Sequence, residues 1–165
     1  MCASDKLKMI VGISDMKYSM DPNSSLVTYS LGSCVGVVAY DPIKFIGGML
    51  HYQLPSSNGH QERAKKNPLM FADLAIPLLL EGMRKKGASL GHVIIGIYGG
   101  AKVLMDGDLF KIGTQNVRVA KKILWQQRLH ISNEDVGGDK GRTVHLDIET
   151  GKVKVHSDGK ITVFE

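Results

Sequence analysis

Residues 34–52 determine the fold, because they hold two apolar runs joined by a short turn. The first run is Cys34-Val35-Gly36-Val37-Val38-Ala39-Tyr40, and the second extends from Phe45 to Tyr52. The turn between them contains Asp41-Pro42, two residue types that favour turns. Short apolar runs bounded by turn residues and rich in valine are typical of buried strands. This stretch therefore predicts two neighbouring strands that pair through the turn.

The predicted pair brings a thiol and an imidazole side by side. Cys34 follows the glycine-flanked turn Leu31-Gly32-Ser33, and His51 stands seventeen positions later. A thiol within hydrogen-bond reach of an imidazole is the minimum requirement for a cysteine nucleophile. A cysteine on an apolar run is also commonly an inert core residue. The pair alone therefore leaves catalysis and core packing both open.

The remaining pattern predicts further strands and two main helices, which is an α+β organisation. The first helix begins with Asn67 as its N-cap and Pro68 at its first position, and Pro77 is expected to kink it. The second helix is predicted from Thr114 to about Leu129, with one side formed by Val117, Ala120 and Leu124. The segment from Ser56 to Lys66 is predicted to be a polar loop. The further strands are predicted at Lys8–Ile13, Ser25–Leu31, Val93–Tyr98, Leu129–Asp135, Arg142–Ile148, Lys152–His156 and Ile161–Phe164.

Composition is that of one globular domain. The chain has 165 residues, 43% of them apolar and 22% charged, so residues 1–165 are predicted to form a single domain. No signal-peptide pattern opens the chain. The most apolar stretch, Leu69–Met83, is short and interrupted by polar residues, so it is not predicted to span a bilayer. The two cysteines, Cys2 and Cys34, do not make a disulfide framework, which fits a reducing cytoplasm.

The charge pattern disfavours nucleic acid as a partner and does not select another partner. The net charge is +5, but the lysines and arginines are dispersed along the chain. Nucleic-acid binding favours a denser basic stripe with interleaved aromatic residues. The dispersed charges fit solvated helix ends and loops, or a basic face that docks an acidic protein. No His/Cys spacing resembles a zinc site.

Blocks of sequence spread over nearly the whole chain resemble the CheD family of chemoreceptor glutamine deamidases. They occur in the order expected of that family. The blocks are TYSLGSC at 28–34, YDP at 40–42, GG at 47–48, HYQLP at 51–55, ADLAIPLLL at 72–80, YGGA at 98–101, IG at 112–113 followed by Asn116, EDVGG at 134–138 and GR at 141–142.

This resemblance implies a fold, a reaction and partners. The fold is a single-domain, layered α/β/β arrangement with mixed sheets, similar to bacterial deamidase toxins. The reaction converts glutamine side chains of chemoreceptors to glutamate in chemotaxis, with release of ammonia and without a metal or an organic cofactor. The implied partners are the cytoplasmic region of chemoreceptors and a CheC-type phosphatase. The implied location is the cytoplasm.

The resemblance also implies the roles of the site residues. Cys34 is the nucleophile that forms a thioester, His51 is the base that takes the thiol proton, and Thr28 matches the third catalytic residue of the family. On a strand from Ser25 to Leu31, Thr28 shares a face with Leu26 and Ser30, so it can point to where Cys34 and His51 meet. The family commonly has glycine where Ser30 stands.

The turn before the nucleophile has two interpretations. Gly32 and Ser33 suit a tight turn that presents backbone N–H groups, and those of Cys34 and Ser33 are candidates for an oxyanion hole. The same residues also suit a plain turn. Two other functions stay open at this point: a non-catalytic adaptor that binds receptors, and a cysteine peptidase or small-molecule amidase.

Overall fold

The computed structural model describes residues 5–102 and 109–165. Cys2 lies outside the described residues. The described part contains ten β-strands, three α-helices and a short 3₁₀ turn at Pro68–Met70. The strands are β1 (Leu7–Ile10), β2 (Asp15–Ser19), β3 (Ser24–Leu31), β4 (Val35–Asp41), β5 (Ile46–Tyr52), β6 (Ile94–Gly99), β7 (Ile131–Val136), β8 (Arg142–Asp147), β9 (Val153–Ser157) and β10 (Lys160–Phe164). The helices are α1 (Gln61–Lys66), α2 (Ala72–Lys85) and α3 (Leu109–Gln126).

The strands form two five-stranded sheets. The outer sheet has the order β1-β3-β8-β9-β10, and the inner sheet has the order β2-β5-β4-β6-β7. Each sheet contains one parallel pair, β1 with β3 and β6 with β7, and its other pairs are antiparallel. The predicted α+β class with mixed sheets is therefore confirmed.

The central strands β5, β4 and β6 of the inner sheet are buried on both faces, which explains the apolar runs of β4 and β5. Alternate side chains such as Val37 and Leu50 pack with α2 and α3 in one core cluster. The others, such as Val38 and Met49, pack against the outer sheet in a second cluster. The layers are thus helices, inner sheet and outer sheet, as predicted. The similarity to bacterial deamidase toxins stays a prediction.

The predicted pair of β4 and β5 is confirmed, and its turn is stabilised by one carboxylate. Oδ1 of Asp41 accepts hydrogen bonds from the backbone N–H groups of Ile43 and Lys44, at 2.9 and 3.0 Å. In the antiparallel register that follows, Gly36 lies opposite His51. This register aligns the start of β4 with the end of β5, where the candidate site residues stand.

The predicted start of the first helix is wrong. Asn67 does act as a cap, because its side chain accepts from the N–H of Leu69, but it caps the separate 3₁₀ turn. Phe71 is then extended and forms a parallel bridge with Leu54, so α2 begins only at Ala72. The buried Phe71 side chain and this bridge outweigh continuation of the helix. Pro77 lies inside α2 as predicted.

Two elements escape the sequence patterns because they are only partly buried. The strand β2 is an edge strand of the inner sheet with mixed polarity. The helix α1 has no buried residue, so the predicted polar loop contains a helical segment.

The second predicted helix begins earlier, at Leu109, and ends at Gln126. It ends there because Arg128 adopts a left-handed conformation with φ of 58°.

The predicted apolar side of α3 is confirmed. Ala120 and Leu124 are fully buried, and Val117 packs against the same cluster. Within the described ranges, no helix combines the length and the hydropathy that crossing a bilayer requires.

Candidate active site

A threonine of the outer sheet contacts a histidine of the inner sheet. Thr28 is on β3 and His51 is on β5, and both side chains are buried, with 0% and 1% exposure. Oγ1 of Thr28 lies 2.8 Å from Nδ1 of His51. The two sheets therefore meet through a hydrogen bond between two of the predicted site residues.

A second hydrogen bond of Thr28 determines the tautomer of His51. The Thr28 hydroxyl donates to the backbone carbonyl of Val11 at 2.8 Å. A hydroxyl has one proton, and a carbonyl can only accept. Oγ1 must therefore accept from Nδ1–H of His51, which leaves the lone pair of His51 on Nε2. Nε2 is the nitrogen that is free to take a proton from a nucleophile.

Cys34 stands at the entrance of β4, diagonally across from His51. It lies two residues before Gly36, the residue opposite His51. Positions two apart along an extended chain point to the same face, and Cys34 packs with the cluster between the sheets. A Cβ on Gly36 would lie 3.1 Å from Leu31 and 3.7 Å from Thr28, so glycine there permits the close packing around the site.

Nε2 is the nitrogen of His51 that would accept the proton of the Cys34 thiol. Nε2 of His51 is buried and has no hydrogen-bond partner among the described residues. The Cys34 thiol therefore makes no hydrogen bond to Nε2 in this conformation. Catalytic hydrogen bonds are often long without substrate and tighten when it binds. The structure brings Thr28 and His51 into contact and places Cys34 at the start of the neighbouring strand, two residues before the partner of His51.

Burial favours the neutral forms of both reacting groups. Desolvation lowers the pKa of His51 to about 4, and the negative charge of Asp15 opposes this shift. Desolvation also raises the pKa of the Cys34 thiol, while its own backbone N–H opposes the shift. Burial therefore works against a resting thiolate–imidazolium pair. Proton transfer from Cys34 to His51 is more favourable during the attack on a substrate, because the negative charge then moves from sulfur to the substrate.

The turn before the nucleophile is held by the loop that follows β6. Gly100 donates its N–H to the carbonyl of Cys34, and Ala101 donates its N–H to the carbonyl of Gly32, both at 2.8 Å. Gly99 has a φ of 105°, and a Cβ on it would lie 2.4 Å from the Cys34 carbonyl oxygen. Glycine is thus needed there both for conformation and for close approach.

A buried asparagine on α3 holds the carbonyl between these two. Nδ2 of Asn116 donates to the carbonyl oxygens of Ser33 and Gln53, at 2.9 and 2.8 Å. Asn116 is fully buried. Its backbone carbonyl accepts from the hydroxyl of Tyr52 at 2.6 Å. The asparagine therefore links the residue before Cys34 to the segment that follows His51.

Cys34 lines a surface cavity of about 310 Å³. Among its described lining residues are Arg63 of α1, which is a cation, and Ser33 and Gln53, whose backbone carbonyls accept from Asn116. Its lining residues are Ser33, Cys34, Gln53, Leu54, Arg63, Met70 and Ile112.

The prediction that Ser30 shares the face of Thr28 is wrong. Leu26 and Thr28 are fully buried as expected, but Ser30 is exposed. The pairing of β3 with β8 shifts between Thr28 and Leu31, and Ser30 has a φ of 56°. A β-bulge with a left-handed residue reverses the alternation. Glycine adopts that conformation without strain, whereas a serine there does not.

Two residues of the site were not assigned roles from the sequence. Val11 acts through its backbone carbonyl, which no side-chain pattern reveals. Asn116 stands in one of the sequence blocks of the family, and that position was the one available signal. Within residues 5–102 and 109–165, no three His, Cys, Asp or Glu side chains converge in a way that could hold a metal ion.

Comparison with known proteins identifies the family. The model of the family described as CheD chemotactic sensory transduction matches residues 53–157. The chain belongs to the CheD family. Thr28, Cys34 and His51 lie before the matched range, and their catalytic roles stay predictions.

Named relatives cover nearly the whole chain. A "Probable chemoreceptor glutamine deamidase CheD 1" from Syntrophus aciditrophicus is 45% identical over 92% of this chain and 94% of its own. Proteins named "Probable chemoreceptor glutamine deamidase CheD" from Solibacter usitatus and Clostridium novyi are each 41% identical. They cover 93% and 94% of this chain, and 90% and 96% of their own lengths. The similarity to CheD proteins therefore extends over both sheets.

Proposed function

We propose that this CheD-family chain is a protein-glutamine deamidase that converts specific glutamine side chains of chemoreceptors to glutamate. The names of its relatives support the reaction and the substrate. The observation that carries the proposal is the hydrogen-bond chain from the Val11 carbonyl through Thr28 to His51, which leaves Nε2 without a partner among the described residues, while Cys34 lies at the start of the neighbouring strand. That arrangement supplies a nucleophile, a base and an orienting group.

The first half of the reaction forms a thioester. Sulfur of Cys34 attacks the side-chain amide carbon of glutamine while the thiol proton moves to Nε2 of His51. A carbon–sulfur bond forms, and the electron pair of the carbonyl moves to oxygen. The oxyanion is stabilised by the backbone N–H groups of Cys34 and Ser33. When the intermediate collapses, the carbon–nitrogen bond breaks and the proton on His51 leaves with ammonia.

The second half hydrolyses the thioester. His51 takes a proton from water as the water oxygen attacks the thioester carbon. The carbon–sulfur bond then breaks, and His51 returns the proton to sulfur. The product is a glutamic acid side chain, which loses its proton to solvent to become the glutamate carboxylate, and Cys34 is restored. Each step uses groups of this chain and water.

Thr28 supports both halves through His51. It accepts from Nδ1–H, so the imidazole presents the unprotonated Nε2 at the start of each half-reaction. A neutral hydroxyl stabilises the imidazolium less than a carboxylate would. This suits a base whose pKa is already lowered by burial, because the proton is returned readily to the leaving group.

Incubation with a purified cytoplasmic fragment of a chemoreceptor tests the proposed reaction. Release of ammonia with an intact receptor chain, and conversion of glutamine to glutamate in peptide mass spectra, are the expected results. Cleavage of the receptor chain would indicate a peptidase. Binding without ammonia or cleavage would indicate an adaptor. Either result would contradict the deamidase.

Membership of the family also supports a role in chemotaxis, a cytoplasmic location and a CheC-type phosphatase partner. We propose these as properties of this chain. Co-purification of the chain with a CheC protein of the same organism, and competition between that protein and the receptor fragment, test the partner. Failure of the two proteins to associate at micromolar concentration would contradict it.

A further inference from the structure

We propose that Asn116 is a positioning residue that aims the backbone N–H of Cys34 at the oxyanion of the reaction. This inference rests on the deamidase function proposed above. Asn116 does not touch substrate, because its side chain is fully buried on α3. Its effect passes through the peptide group between Ser33 and Cys34.

The peptide group converts one hydrogen bond into a direction for another. The carbonyl of Ser33 and the N–H of Cys34 belong to the same planar unit, and in a trans peptide they point in opposite directions. Nδ2 of Asn116 holds that carbonyl from the side of α3 at 2.9 Å. The Cys34 N–H must therefore point away from α3.

The Cys34 side chain also lies on the side of the turn that faces away from the helices. It packs with the core cluster between the two sheets, whereas α3 packs on the other face of the inner sheet. The Cys34 N–H, which is directed away from α3, therefore lies on the same side of the turn as the sulfur to which the intermediate would be bound.

The neighbouring peptides are held by backbone groups, which makes the contribution of Asn116 separable. The carbonyl of Gly32 is bound by Ala101, and that of Cys34 is bound by Gly100. Ser33 is the residue of this turn whose carbonyl is bound by a side chain. Substitution of Asn116 therefore releases the peptide that carries the Cys34 N–H while the two flanking carbonyls keep their donors.

The position of Asn116 is itself fixed from several sides. Its second amide hydrogen bond goes to the carbonyl of Gln53, and its backbone carbonyl accepts from Tyr52. One turn earlier, Gly113 lets α3 approach the loop after β6, because a Cβ there would lie 2.5 Å from the carbonyl oxygen of Ala101. Both donors of the amide are used, while Oδ1 is buried and has no partner among the residues that the structure describes. The donors are therefore the functional part of the side chain.

The test compares two reactions of Cys34 that differ in whether an oxyanion forms. Deamidation passes through an oxyanion, and a peptide aldehyde in place of the glutamine side chain adds to the thiol to give a thiohemiacetal with the same oxygen. Alkylation by iodoacetamide requires the thiol and His51 but builds no oxyanion. In Asn116→Ala, kcat and aldehyde affinity should each fall about a hundredfold, the scale of one oxyanion-hole donor. KM and the alkylation rate should stay close to the wild-type values.

Two further variants separate positioning from a general loss of stability. Leu124→Ala removes a buried side chain from the same helix about two turns after Asn116, so at matched loss of stability it should retain kcat. Asn116→Asp keeps the shape of the side chain but cannot donate to both carbonyls, so it should behave as Asn116→Ala does. It also provides the measurement if the alanine variant does not fold.

Three results would overturn the inference. One is a wild-type kcat in both Asn116 variants. Another is a loss of alkylation in parallel with deamidation, which would show that Asn116 affects the reactivity of the thiol and not the oxyanion. The third is an equal loss of kcat in Leu124→Ala. Absence of deamidation in the wild-type enzyme would contradict the proposed function instead, and the aldehyde and alkylation measurements would still test Asn116.

Discussion

His51 donates Nδ1–H to the hydroxyl of Thr28, across the interface between two sheets, over a distance of 2.8 Å. The hydroxyl in turn donates to the Val11 carbonyl, so the tautomer of the base is set by a backbone group of the outer sheet. A neutral hydroxyl between a carbonyl and an imidazole thus does the orienting that a carboxylate does in other triads.

Removal of the Thr28 hydroxyl should reduce turnover more than binding. Thr28→Ala leaves Nδ1–H and the Val11 carbonyl unpaired, so kcat should fall about tenfold to a hundredfold, less than general acid–base catalysis is worth as a whole. The free energy of unfolding should fall by about 1–3 kcal/mol, because two buried polar groups lose their partner. Steady-state kinetics and denaturant titration measure the two effects.

Thr28→Ser is the matched control for the hydroxyl. It keeps the oxygen and removes only the methyl group, so it should recover much of the rate. A serine variant as slow as the alanine variant would assign Thr28 to packing between the sheets.

Cys34→Ala should abolish ammonia release and retain binding of the receptor fragment. The sulfur forms the covalent intermediate, whereas the receptor contacts surface beyond one thiol. Ammonia release measures turnover, and the affinity for a receptor fragment immobilised on a surface measures binding. Cys2→Ala is the control, and it should keep the wild-type rate. Substantial turnover by Cys34→Ala would contradict the thioester mechanism.

The unfolding free energy should fall as the pH is lowered from about 6.5 to about 4, in part because of His51. Burial lowers its pKa to about 4, so in this window the unfolded chain binds a proton that the folded chain does not. Stability therefore rises with pH there, by up to about 3 kcal/mol for this group. Denaturant titration at several pH values should show that the unfolding free energy depends less on pH in His51→Gln than in the wild type. An equal pH dependence would show that His51 is not desolvated as the structure indicates.

Gly99→Ala should inactivate the enzyme through the nucleophile turn. The new Cβ would meet the Cys34 carbonyl oxygen at 2.4 Å, and the residue would keep a φ of 105°. The left-handed conformation alone costs about 1–3 kcal/mol. Gly87→Ala is a close control, because Gly87 has a φ of 100° and open space around its Cβ position. It should lose similar stability from the backbone but keep its kcat, as measured by ammonia release.

The central strands could be predicted from the sequence because both of their faces are buried. Continuous apolar residues such as Val37 and Leu50 mark β4 and β5 regardless of what packs on them. The strand β2 could not be predicted, because an edge strand that is half buried carries a mixed pattern. The same reason applies to α1, which has no buried residue.

The site could be predicted only where a side chain carries the chemistry. Cys34, His51 and Thr28 stand out by residue type, spacing and family resemblance, and Thr28 does contact His51. Ser30 departs from the expected face because a bulge depends on the pairing partner β8, which lies more than a hundred positions later. The contact of Asn116 with Ser33 spans 83 residues, so no local pattern contains it.

The hydrogen bonds that hold the turn before Cys34 have a consequence for biosynthesis. Its donors come from the loop after β6 and from α3, so a nascent chain that has exposed only the segment up to His51 carries Cys34 on an unsupported turn. Contacts this distant in sequence form late, after the intervening chain has been made. On the ribosome, the chain therefore carries an ordinary thiol, and deamidase activity emerges only when α3 docks.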